Sequence, residues 1–153
     1  MARFFRRGVS RTHFLPACAN PAAPSRAEIN AGTNLTGFVA GIEGFSLNNS
    51  PITTPDLSTT FDSQIDGPDA TDDSALVFYD DNVSTTVRTA LAKGTAGFIL
   101  LMPYGDVATK RCEVWPVKST GYNDQWTLDA EAAKARCGFA VTAVPTQNAV
   151  VPA

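Results

Sequence analysis

The residues NNSPITTPDLSTTFDSQIDGPDATDD, positions 48–73, decide how the rest of the chain is read. Their Ser, Thr, Pro, Gly and Asp content is that of a long exposed connection, yet Ile52, Leu57, Phe61 and Ile65 recur through it. A connection of this length inside a compact domain is generally functional or disordered, and large apolar residues at regular intervals argue against plain disorder. Something outside the connection must cover those four side chains. The wider stretch Gly44–Val87 holds eight aspartates and no Lys or Arg, so the segment is predicted to be an acidic arm that packs on another copy of the protein.

The flanks of the arm read as paired strands. Leu35 to Gly44 alternates in a way that puts Phe38 and Ile42 on the core face, and Ser74–Tyr79 has the aromatic and β-branched content of a buried strand. Asp80-Asp81-Asn82 supplies an N-cap for an amphipathic helix through Val83, Val87, Ala90 and Leu91 that stops near Gly94. Gly97–Met102 is apolar on both faces, as a central strand would be. In Arg111–Ser119, Cys112 and Val114 fall on one parity and Trp115 and Val117 on the other. A bulge near Trp115-Pro116 would reconcile them, and Pro116 argues for an edge or irregular position. Asp129–Arg136 has helical composition, yet Ala135, Cys137, Phe139, Val141 and Ala143 alternate with Lys134, Arg136, Gly138, Ala140 and Thr142, so a short helical turn followed by a strand that Pro145 ends is predicted.

Upstream, His13–Ala19 suits a strand, and Ser25 with Glu28 three residues on forms a capping box for a helix of little more than one turn. The fold class is therefore mainly β (α+β): an antiparallel β-sandwich or small open barrel with one flanking α-helix, one shorter helix and a long inter-strand loop. Open sheets have edges that must be covered or paired, and pairing between subunits is one solution. The predicted organisation is a basic arm at 1–12, one sandwich domain at 13–144 and a C-terminal tail at 145–153.

Composition excludes several classes. At 44% hydrophobic and 18% charged the chain is globular, and its longest purely apolar run, Phe98–Met102, is far too short to cross a bilayer, so a soluble protein without membrane partners is expected. Residues 1–27 hold five arginines and no acid, whereas the remainder holds seven basic and fifteen acidic residues. Phe4-Phe5 runs straight into Arg6-Arg7, so the start lacks the apolar stretch of a signal peptide. Arg3, Arg6, Arg7 and Arg11 are predicted to form a basic arm retained on the mature protein.

No catalytic motif is present, so no enzyme, cofactor or metal is expected. The single histidine, His13, has no nucleophile or carboxylate pattern around it, and Cys18, Cys112 and Cys137 are too few and too far apart for a disulfide framework. The arm aspartates do not match a calcium-loop spacing. The acidic body opposes stable binding to DNA, although the arginine arm could contact phosphate.

Several motifs, taken in order, resemble the major tail tube proteins of long-tailed bacteriophages, in particular phages of actinobacteria. They are Pro24–Gly37, Thr54–Leu57 with Phe61–Gly67, Asp73–Tyr79, Val87–Gly97, Val114–Val117 and Phe139–Thr142. The resemblance implies a structural virion protein of the tail, assembled in the host cytoplasm. It implies a homo-oligomer of hexameric rings stacked into a tube, with tape measure, tail tip and tail terminator proteins as partners and transient DNA passage during ejection. It assigns Ile52, Leu57, Phe61 and Ile65 to ring stacking. Asp56, Asp62, Asp66 and Asp69 become candidates for an acidic lumen or for ring contacts.

Other classes fit less of the chain. A decoration or head–tail joining protein would also be a small β-rich subunit with arms. A host-surface or carbohydrate-binding module would need Tyr104, Tyr122 and Trp126 to form one platform. A hydrolase would need two of the arm aspartates.

Overall fold

Both flanks of the arm join one antiparallel sheet. The computed structural model describes residues 1–153. In chain order its elements are β1 (Arg11–Leu15), α1 (Arg26–Ala31), β2 (Thr33–Asn34), β3 (Val39–Glu43), β4 (Leu47–Asn49), β5 (Ile52–Thr54) and β6 (Ser63–Ile65), then β7 (Asp69–Thr71), β8 (Ser74–Tyr79), α2 (Thr86–Ala90), β9 (Ala96–Met102), β10 (Arg111–Gln125), β11 (Lys134–Val141) and β12 (Thr146–Val150). The main sheet runs β2-β1-β9-β10-β11-β8-β3, with β12 also on β10, and every pairing is antiparallel. The mainly β, sandwich-like class expected from sequence is the one observed, with two short helices.

The two parities of β10 feed two different cores, and this replaces the expected bulge at Trp115-Pro116. Cys112 and Val114 face a cluster with Leu15, Leu100, Met102 and Ala149, which α1 covers through Ile29. Trp115 and Val117 face a second cluster with Phe14, Ile99, Phe78 and Phe139, into which Val87 and Leu91 pack beside α2. The sheet curls around this second core, because Phe14 from β1 and Phe45 from just beyond the edge strand β3 both belong to it. The register of β10 on β9 is unbroken through Trp115↔Ile99 and Pro116↔Phe98. Pro116 tolerates this central place because its backbone faces the junction where β11 gives way to β12. Its carbonyl accepts from the Thr142 N–H there, so the N–H that proline lacks has no ladder partner to lose.

Other expectations need correction. The helix read from Asp80 to Gly94 is five residues long, because Asp81 caps a turn instead, accepting from the N–H groups of Val83 and Ser84. Ser84, Thr85 and Thr86 are also weak helix formers. The helical turn expected from Asp129 does not form, whereas the strand expected after it does: Lys134, Ala135 and Arg136 pair with β10 on one side and β8 on the other. Ile42 is half exposed rather than in the core: a register shift between Val39 and Gly41 sets it opposite the buried Leu76, but at the end of the edge strand it borders an open cleft. Thr146–Val150, read from sequence as part of a tail, is strand β12, with Ala149 and Val151 buried. The capping box is as expected: the Ser25 hydroxyl accepts from the Glu28 N–H while the Glu28 carboxylate accepts from the Ser25 N–H.

Candidate assembly surfaces

The acidic arm is a twisted β-hairpin standing off the main sheet, and its root is locked into the core. Gly44 (φ 77°) and Phe45 (φ 42°) both adopt left-handed backbone, which a phenylalanine enters only at a cost. Packing offsets that cost: the Phe45 ring is buried edge-on against Trp115, centroids 5.4 Å apart and planes at 83°, and its N–H donates to Ser74 Oγ. A Cβ at Gly44 would collide with the Asp73 carbonyl on the return limb. The direction in which the arm leaves the subunit is therefore set by core aromatics.

Beyond the root, β4 pairs with β7 and β5 with β6. Where the two ladders meet, the Asn49 amide donates to the Gly67 carbonyl and Asp69 carboxylate and accepts from the Gly67 N–H. The ten residue steps from Ser46 to Asp56 give the arm a reach of about 30 Å at strand rise. Ile52 and Ile65 face each other across the ladder, 50% and 55% exposed, and the tip residues Leu57 and Phe61 are 107% and 73% exposed. The structure thus brings two of the four predicted side chains together as a cross-strand pair, leaves two at the tip, and covers none of them.

Asp56, Asp62, Asp66 and Asp69 all lie exposed on this arm. Asp56 caps the tip turn, and the Ser58 hydroxyl and N–H it accepts from hold its carboxyl below the usual range. Asp69 is held by Asn49. No group of three His, Cys, Asp or Glu side chains is placed to hold a metal ion, and no helix is long and apolar enough to cross a membrane.

The basic arm leaves from the same mouth of the curled sheet as the hairpin. Arg6, Arg11, Thr12, Phe45, Leu101 and Arg111 surround a cleft of about 310 Å³ there. The Arg6 carbonyl accepts from the N–H groups of Val9 and Ser10, Phe4 packs on Tyr104, and the Arg6 guanidinium lies over the Phe4 ring. None of Arg3, Arg6, Arg7 and Arg11 reaches a carboxylate.

β10 carries the molecule from this mouth to the far one, about 45 Å of strand at about 3.3 Å per residue. At the far mouth Trp126, Leu128 and Val83 are 91%, 106% and 89% exposed. From sequence only Trp126 is read as a surface residue, and then as part of a platform with Tyr104 and Tyr122; Leu128 and Val83 carry no such signal. Tyr104, Tyr122 and Trp126 do not form one platform. Tyr104 sits with Phe4 at the near mouth, while Tyr122 is stacked on Phe78 beneath the Arg88 guanidinium. His13 is buried in β1 with an unpartnered Nδ1, and burial lowers its pKa. The three cysteines are buried and unpaired, and burial pushes the Cys112 thiol up to about 11.

Three strands of the main sheet, β3, β2 and β12, have a neighbour on one side only. Taken together, the chain offers free sheet edges, an uncovered hairpin and two chemically unlike mouths.

No curated protein sequence matches the chain. Among solved structures, a chain of the anti-feeding prophage baseplate, described as a sixfold-symmetrised cryo-EM structure, is similar to it with a TM-score of 0.63 at 7% identity, over 94% of this chain and 95% of the other. At that identity the likeness speaks for the fold alone. A family model described as phage tail tube protein matches residues 1–153, the whole length, and the chain belongs to that family.

Proposed function

We propose that this tail protein builds stacked hexameric rings that form the tube through which phage DNA is ejected. The observation that carries the proposal is the hairpin: Ile52 and Ile65 on its ladder and Leu57 and Phe61 at its tip are held out from a root locked into the core, with nothing in the subunit to cover them. Exposed apolar groups in this arrangement are contact surface. Free edges at β3 and β2 suit lateral pairing into a closed ring, and the sixfold description of the baseplate neighbour supports six subunits per ring.

In this reading the basic arm expected at 1–12 is shorter, since Arg11 and Thr12 already belong to β1, and the role of the subunit is structural rather than enzymatic. The motif order supports a long-tailed phage of actinobacteria, with assembly in the host cytoplasm and contacts to tape measure, tail tip and tail terminator proteins. Acids at Asp56, Asp62, Asp66 and Asp69 would disfavour adhesion of the phosphate backbone during passage. Negative-stain electron microscopy over a concentration series tests the proposal. Hollow tubes or stacked sixfold rings are expected, whereas dispersed monomers at every concentration, or rings of another symmetry, would overturn it.

A further inference from the structure

The two mouths of the subunit differ in charge as well as in shape. At the near mouth Arg3, Arg6, Arg7 and Arg11 have no carboxylate partner, and Phe5 beside them is 70% exposed. At the far mouth Asp80, Asp81, Asp124, Asp129 and Glu131 outnumber Arg88 and Lys134. Both of these cations are already engaged, Arg88 by Asp80 and Asp124 and Lys134 by Glu131. Asp129 has no cationic partner. A cavity of about 240 Å³ opens there with the Trp126 indole on its wall and Asp80, Asp124, Asp129 and Glu131 around it.

We propose that the arginine arm of one copy docks into the Trp126-walled mouth of the next copy, joining subunits head to tail. The cavity has room for an arginine side chain. A planar guanidinium can stack on an indole while its N–H groups reach carboxylates, which a lysine does less well. Phe5 and Leu128 give the contact an apolar share at its margin. The donor arm and the acceptor mouth lie at opposite ends of β10, so one copy cannot satisfy both by folding back. A contact between two unlike patches adds copies in one direction without limit, the geometry of a stack rather than a closed dimer. The inference rests on the reading that copies stack, but it concerns a surface separate from the hairpin.

Charge reversal tests it on the full chain. One variant carries Arg6→Glu and Arg7→Glu, and a second carries Asp129→Lys and Glu131→Lys, all on exposed side chains. Each alone should raise the critical concentration for tubes at least about tenfold, because like charges then meet. An equimolar mixture should restore assembly. For the unaltered protein the critical concentration should rise with salt as the Debye length falls from about 10 Å at 0.1 M to about 3 Å at 1 M. A second measurement places Arg7→Cys and Asp129→Cys in one chain and applies a short bis-maleimide. Since the native cysteines are buried, a ladder running beyond dimer is expected from the head-to-tail contact.

Tubes that form normally from the Arg6/Arg7 variant while Phe61→Ala abolishes them would overturn the docking and leave the tube reading standing. Absence of tubes from the unaltered protein would overturn the tube reading, and absence of a ladder in that dispersed material would overturn the docking too. A ladder obtained instead with Leu57→Cys and Asp129→Cys would assign the far mouth to the hairpin and overturn the arginine arm as its occupant.

Discussion

Replacing Phe61 by alanine should weaken assembly while leaving the subunit intact. The ring is 73% exposed at the arm tip and belongs to neither core cluster. A phenylalanine side chain presents about 200 Å², so about 150 Å² remains for burial against another copy. At about 25 cal/mol/Å² that is about 4 kcal/mol if wholly covered. Allowing for the methyl group that alanine keeps and for partial coverage, the loss is about 2–3 kcal/mol per contact. This is a weakening of about 30- to 150-fold, since 1.4 kcal/mol is tenfold. Subunit stability should change by no more than about 0.5 kcal/mol, as for surface substitutions away from packed features. The critical concentration can be read by sedimentation, and stability by urea unfolding below that concentration. Trp115→Ala provides the opposite control: it removes a fully buried ring and should cost about 3–5 kcal/mol of subunit stability. The reasoning fails if Phe61→Ala lowers subunit stability by as much as it weakens assembly, or leaves the critical concentration unchanged.

Gly44→Ala forces a Cβ into left-handed backbone beside the Asp73 carbonyl. It should cost about 1–3 kcal/mol and raise the critical concentration by more than this loss explains, because the arm is re-aimed; comparing its urea midpoint with its sedimentation checks both. Ser25→Ala removes the cap of α1 and should lower stability by about 1 kcal/mol in urea unfolding, with assembly unchanged, since α1 covers the core rather than the arm. His13 is buried neutral, its pKa lowered first by burial and further by Arg26 and Arg11, with Asp106 opposing. Its contribution is therefore complete above the ordinary histidine value and lost as pH falls through the lower folded value. Subunit stability should decline below about pH 6.5, and His13→Gln should flatten that part of the profile in thermal melts. Cys112, with its thiol raised by burial, should react with thiol reagents at pH 8 only at the rate at which the subunit opens.

Local chemistry explains what was legible before the fold was known. Ser25 and Glu28 form their capping box from neighbours three residues apart, and the strand content of Ser74–Tyr79 lies in its own side chains. The uncovered apolar residues of the arm stand out because a polar background makes four large side chains conspicuous. The helical turn expected from Asp129 is absent because the segment's helical composition is outweighed by two flanking strands that pair with its end, partners 9 and 59 residues away in Lys134↔Gln125 and Arg136↔Val77.

The sequence by itself determined the fold class, the capped first helix and the existence of an acidic arm studded with large apolar residues, because these rest on alternation, capping and composition within a few residues. Only the tertiary structure decided that the two parities of β10 serve two cores, that Pro116 faces a change of partner strand, and that Phe45 anchors the arm against Trp115. It alone put the arginine arm and the Trp126 surface at opposite mouths. Each of these depends on which distant strands pair and how far the sheet curls, and no short stretch of residues carries that register.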